Sequence, residues 1–112
     1  MAIIGDCMAD SSNAKLKISY FSSFAGYNIP LKPIERIDKK EALSRRAYCV
    51  GYFNNKNQLI KFEKYIDGKL FFRHEYSYFP NGKIKENRGI DADGNDRLDI
   101  YNKKGKRIST HP

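Results

Sequence analysis

Residues 58–85 read QLIKFEKYIDGKLFFRHEYSYFPNGKIK, and this stretch decides the fold. Polar and apolar residues alternate through Ile60-Lys61-Phe62-Glu63, pause at Ile66-Asp67-Gly68, resume from Leu70 to Tyr78, and pause again at Pro80-Asn81-Gly82. A period of two marks a strand with one buried face, and a closing glycine accepts the left-handed backbone that a tight turn requires. The runs are rich in aromatic residues, which suit a pleated, half-buried surface. Two antiparallel hairpins that share a strand are therefore expected here.

The pattern continues on both sides. Asn55-Lys56-Asn57 precedes the stretch, while Ala92-Asp93-Gly94 and Lys103-Lys104-Gly105 follow it, giving five loops spaced by 11 to 14 residues. Each suits a three-residue hairpin loop, a type I turn closed by a left-handed residue. Facing residues across such a loop have numbers with an even sum, so one parity stays on one face of the sheet. That register places Phe62 opposite Phe72, Tyr78 opposite Ile84, Ile90 beside Phe72, and Ile100 opposite Ile108. The even face then collects Tyr48, Val50, Tyr52, Phe62, Phe72, Tyr76, Tyr78, Ile84, Leu98 and Ile100 as a core, and the odd face is mostly charged. Strands are expected near 47–54, 58–65, 69–79, 83–91, 95–102 and 106–110. The fold class is mainly β, a single six-stranded antiparallel meander in up-and-down order with a minor helical part.

The N-terminal part is less regular. Residues 1–14 carry no periodicity and read as a flexible leader, so the domain is expected to span 15–112. Pro30 and Pro33 forbid central-strand pairing, and the segment Asn28–Ile34 is expected to cross one face of the sheet. Asp38 with Glu41 resembles a capping box that opens a short helix near 39–46, with Ala42 and Leu43 on its buried side. Residues 15–46 supply the cover for the apolar face through Leu16, Ile18, Tyr20, Ile29, Leu31, Ile34, Ile37 and Leu43. A twisted sheet of this size either stays open or curls into a partial barrel, and the pattern does not separate the two.

Composition narrows the function. The 112 residues hold 21 Lys and Arg against 13 Asp and Glu, a formal net charge of +8, which suits an acidic partner or serves solubility alone. Cys7 and Cys49 are too few for a disulfide framework and have no metal spacing, so free thiols are expected. No signal peptide and no membrane-length apolar run is legible, and a cytoplasmic protein is expected. Asp91-Ala-Asp93-Gly94 looks superficially like a calcium loop but lacks its terminal Glu, so no metal and no cofactor are expected.

The aromatic-led loops Phe53-Asn-Asn-Lys-Asn-Gln-Leu59, Tyr78-Phe-Pro-Asn-Gly-Lys-Ile84 and Tyr101-Asn-Lys-Lys-Gly-Lys-Arg107 resemble the hairpin unit of YD (Rhs-type) repeats. They are also similar to repeats in small bacterial immunity-like and antitoxin-like proteins. Asn57 stands where the unit has Gly, and Arg107 where it has Leu. The resemblance covers about half the chain. It implies a bacterial immunity or antitoxin protein that binds a toxin, and it implies no catalytic residues.

Two surfaces carry candidate sites. The odd face alternates cations with aromatics at Lys61, Tyr65, Lys69, Phe71, Arg73, Lys85 and Tyr101. The even-sum register sets Lys61 opposite Arg73, Glu63 opposite Phe71, and Lys85 opposite Tyr101, so an anion is expected between the facing cations. The plainer account is a solvated face on which lysine stems cover aromatic rings. The same strip suits single-stranded RNA or DNA, with bases stacked on aromatics, although Glu63, Glu75 and Asp99 interrupt it and no RNP, KH or OB signature is present. The second candidate is a polar group on the even face, His74 opposite Arg88 and Tyr76 opposite Glu86. Such a group suits acid–base chemistry, or more plainly a satisfied cluster at the sheet margin. The reading that follows is a non-enzymatic binding protein directed at an acidic toxin surface, with nucleic-acid binding as the alternative.

Overall fold

The computed structural model describes residues 16–26 and 29–112. Eight strands follow in chain order: β1 Lys17–Ala25, β2 Lys32–Ile37, β3 Ala47–Phe53, β4 Leu59–Ile66, β5 Lys69–Tyr78, β6 Ile84–Asp91, β7 Asp96–Tyr101 and β8 Arg107–His111, with helix α1, Lys39–Ser44, between β2 and β3. All strands join one open antiparallel sheet in the order β2-β1-β3-β4-β5-β6-β7-β8. The mainly β class and the meander from β3 to β8 are therefore as expected, but the sheet has eight strands, not six, and it does not close into a barrel. The leader at 1–14 lies outside the described residues.

The two extra strands come from the segment expected to serve as a cover. β1 pairs with β3 through Phe21–Cys49 and Lys17–Phe53, and β2 pairs only with β1. An outermost strand has a neighbour on one side alone, which is why Pro33 with its missing N–H is tolerated there. The end of β1 and residues 29–31 before β2 lie over the sheet face as a flap. Phe24 packs edge-on against Phe62 and Phe72 with ring centroids 5.7 and 5.2 Å away, and the Leu31 N–H donates to the Tyr76 hydroxyl at 3.1 Å. The core lies beneath this flap and comprises Phe21, Leu31, Cys49, Leu59, Phe62, Tyr76 and Ile84. Asp38 caps α1 by accepting the Glu41 N–H at 2.7 Å, and Ala42 is fully buried, but Leu43 turns outward and is 56% exposed.

The loops follow one chemical rule with one exception. At 54–58, 79–83, 91–95 and 102–106 the first residue of the loop accepts from the fourth, and Asn57, Gly82, Gly94 and Gly105 take positive φ. Asn54, Asp91 and Asn102 each open their loop with a side-chain oxygen that accepts two backbone N–H groups, which fixes the turn locally. The exception is Asp67-Gly68, a two-residue loop with φ of 53° and 77°, the type I′ geometry.

That exception and four bulges correct the expected register. Lys64 faces Phe72 whereas Tyr65 faces Leu70, so Phe71 is an extra residue; Ile60, Lys85 and Ile108 are extra in the same way. Each extra residue reverses the parity of its strand. Tyr78 does face Ile84, but Phe62 faces Gly51 and His74, Ile90 faces Arg73, and Ile100 faces Ser109. The buried face is consequently odd in β3, even in β4 and β5, and odd again in β6 and β7, except that Leu59 and Ile84, before the bulges at Ile60 and Lys85, join it with the opposite parity. Cys49, Phe62, Tyr76, Asn87 and Asp99 share it, whereas Tyr48, Val50 and Tyr52 point to the other side.

Burial of this core gives an alkaline limit to stability. The Cys49 thiol is pushed up from 9.0 to about 11, chiefly by burial. The hydroxyls of Tyr76 and Tyr78 rise from 10.0 to about 12 for the same reason. A raised native pKa means that the folded state holds the proton more tightly than the unfolded chain. This contribution is whole below the ordinary values and is lost as pH rises through the native ones. Thermal melts should therefore be unaffected by these groups up to about pH 9 and fall steadily between about 9 and 12. A melting temperature that stays flat across that window would contradict the placement of all three groups.

Candidate binding face

The corrected register assembles a second, solvent-side face that the alternation pattern did not show. One row across it is Tyr20, Val50, Glu63, Arg73 and Ile90; the next is Ile18, Tyr52, Lys61, Glu75, Arg88 and Leu98. Tyr48 and Tyr65 face each other beside the first row. At the centre sits Glu63, a carboxylate only 2% exposed, opposite the buried Val50 and among partly exposed side chains. A buried charge is tolerated only when its oxygens are satisfied. Here the Tyr52 and Tyr65 hydroxyls donate to Oε1 at 2.9 and 3.1 Å, and Arg73 Nε donates to Oε2 at 2.8 Å.

The tyrosines pack around this anchor. Tyr48 and Tyr65 stack with centroids 5.4 Å apart and planes at 16°, Tyr20 lies 6.3 Å from Tyr48, and Lys61 Nζ sits 4.3 Å above the Tyr52 ring. Burial raises the hydroxyl pKa of Tyr52 and Tyr65, and the bond to Glu63 and its negative charge add to the rise. These hydroxyls stay neutral donors across the physiological range. A shallow groove of about 470 Å³ borders the cluster, lined in part by Leu16, Lys61, Glu75 and Ser77, and the Ser77 hydroxyl has no partner among the described residues.

Of the residues singled out from sequence, Lys61, Tyr65 and Arg73 lie together on this face. Phe71 is 48% exposed on its bulge, where Lys64 Nζ lies 5.7 Å from its ring. Lys69 is exposed at the Asp67-Gly68 hairpin, and Lys85 is exposed on the β6 bulge. Tyr101 belongs to the other face and packs against the core. The expected facing cations do not occur: Lys61 faces Glu75, and Glu63 faces Arg73, not Phe71. The second group is divided by the sheet. His74 faces Gly89 and lies by Asn87 Oδ1 at 3.1 Å, stacked on Tyr76, which faces Asn87. Glu86 and Arg88 project to the opposite side, where Arg88 pairs with Asp96 at 3.0 Å. Tyr20, Tyr48, Tyr52 and Glu63 were missed as members of the site; Tyr48 and Tyr52 reach it because the extra residue Ile60 reverses the parity of β3 relative to β4, and the break in alternation at Leu59-Ile60 is the signal that locates them.

The chain matches the model of a family described as "Family of unknown function (DUF6156)" over residues 13–110. It belongs to that family. No curated protein and no solved structure matches it. The DUF6156 match runs from before β1 to the penultimate residue of β8, so the whole tyrosine face lies within it. No helix among the described residues is long and apolar enough to cross a membrane.

Proposed function

We propose that this protein is a non-enzymatic binding protein of the immunity or antitoxin type, which engages a protein partner through the tyrosine face of β1, β3, β4 and β5. The observation that carries the reading is the Glu63 anchor, which bonds Tyr52, Tyr65 and Arg73 while each stays partly exposed to solvent. Tyrosine and arginine dominate binding hot spots, and side chains ordered beforehand lose little entropy on association. The resemblance of the hairpins to YD-type and immunity-like repeats supports a bacterial toxin as the partner.

Nucleic acid is disfavoured on this face because its cations are already matched. Arg73 pairs with Glu63, Arg88 pairs with Asp96, and Lys61 faces Glu75. Co-purification with the product of the neighbouring gene tests the proposal. Tyr48→Ala with Tyr65→Ala should weaken that complex by about 30-fold or more, in line with hot-spot losses of about 2 kcal/mol or more. Absence of a complex, or oligonucleotide binding with a steep salt dependence that the same substitutions abolish, would overturn it.

A further inference from the structure

The meander sorts its loop charges by end. Successive hairpins open at alternate ends of the strands, so loops 54–58, 79–83 and 102–106 share the end at which β1 begins, and loops 67–68 and 91–95 share the other. The first three carry Lys56, Lys83, Lys103, Lys104 and Lys106 with no acid, and the other two carry Asp67, Asp91 and Asp93 with no lysine or arginine. More broadly, residues 76–85 and 100–112 contain no Asp or Glu, yet hold Lys83, Lys85, Lys103, Lys104, Lys106 and Arg107. Among the described residues none of these six takes part in an ion pair.

Two of these loops are tied side by side. Asn81 Nδ2 donates to the Lys103 carbonyl at 2.9 Å, and the Lys83 stem lies 3.5 Å from the place a Cβ on Gly105 would occupy. Between them and Ile29-Pro30 is a cleft of about 380 Å³ with Ile29, Pro30, Ile84 and Tyr101 as walls and Lys83 and Lys104 among its lining. Lys83 and Lys104 line the same cleft with no carboxylate in its lining, so an anionic partner seated there would relieve their mutual repulsion. The walls are mainly aliphatic, and Tyr101 already packs against the core, so stacked bases find no platform here.

We infer that this end of the sheet is a second binding site, one that takes an acidic peptide segment with an aliphatic side chain in the cleft and flanking carboxylates on the lysines. The site is independent of the tyrosine face. The test is fluorescence anisotropy of the intact protein with three labelled probes: a glutamate-rich peptide with one central leucine, the same peptide with serine in place of leucine, and an oligothymidylate. The leucine peptide should bind best, by about tenfold over the serine peptide, the scale set by burying one leucine side chain. Backbone amide shifts should concentrate at Gly82, Ile84, Tyr101 and Gly105. Lys83→Glu with Lys104→Glu, both at exposed positions, should abolish binding without altering the thermal melt. Tyr65→Ala should leave peptide binding unchanged, which separates this site from the toxin-binding proposal. Equal binding of the two peptides, tighter binding of the oligothymidylate, or shifts centred on Tyr48 and Tyr65 would each overturn the inference.

Discussion

Phe62→Ala should destabilise the protein by about 3–5 kcal/mol, the usual cost of emptying a buried aromatic site. Domains of this size hold only about 5–15 kcal/mol in total, so the variant should sit near or past the edge of folding. Phe62 is fully buried at the centre of the sheet, between Gly51 on β3 and His74 on β5, with Phe24 folded down on it from the flap. The void cannot easily close. A side chain at Gly51 would stand 3.0 Å from the Phe53 ring and 3.1 Å from Phe21, so that corner is already filled to contact. Phe62→Leu keeps most of the volume and should cost roughly 1–2 kcal/mol. Urea denaturation of the three proteins checks the order. An alanine variant within about 1 kcal/mol of wild type would mean that Phe62 does not anchor the core.

How far the sequence reveals this core depends on which residues carry the signal. The loops are legible because their chemistry is local. Asn54, Asp91 and Asn102 bond their own turns, and Gly82, Gly94 and Gly105 take a backbone conformation that most side chains avoid. Strand limits follow within about two residues. Register is a different matter, because a single added residue exchanges the two faces. Two of the four bulges leave a trace, since Leu59-Ile60 and Leu70-Phe71-Phe72 interrupt strict alternation. Lys85 and Ile108 sit in ordinary alternating context and leave none.

The N-terminal strands were obscured for a related reason. Two prolines in seven residues argue against a strand within a sheet but not against one at its margin, and only the partner on the inner side reveals which applies. The candidate site inherits both difficulties. Lys61, Tyr65 and Arg73 come together as expected because they lie near one hairpin, where an error of two in the pairing leaves them on the same face. His74 and Tyr76 part from Glu86 and Arg88 because the Lys85 bulge lies between the two strands' registers. Glu63 reads in sequence as an interruption of a basic strip; in the fold it is the group that organises the strip.

That role makes Glu63 the most informative residue on the binding face. Glu63→Ala should cost about 2–4 kcal/mol. It removes the acceptor for two tyrosine hydroxyls and the partner of Arg73 from a position that water barely reaches. The lower part of that range reflects Arg73, whose side chain is one-third exposed and can turn to solvent. A Glu63–Arg73 double-mutant cycle should accordingly give a coupling of only about 1 kcal/mol. Glu63→Gln keeps an oxygen for the hydroxyls, loses the charge, and should fall between wild type and alanine. Tyrosine ionisation gives a second readout, taken under conditions where the near-UV circular dichroism shows the variant still packed as in wild type. Burial is the largest cause of the raised pKa at Tyr52 and Tyr65, followed by the bond to Glu63 and its charge. Removing the carboxylate takes away the second and third causes and leaves the first. Phenolate absorbance in Glu63→Ala should therefore begin to rise at lower pH than in wild type, with Glu63→Gln again intermediate. Wild-type stability together with an unchanged tyrosine titration would show that the carboxylate does not hold these side chains, and the preorganised face would have no basis.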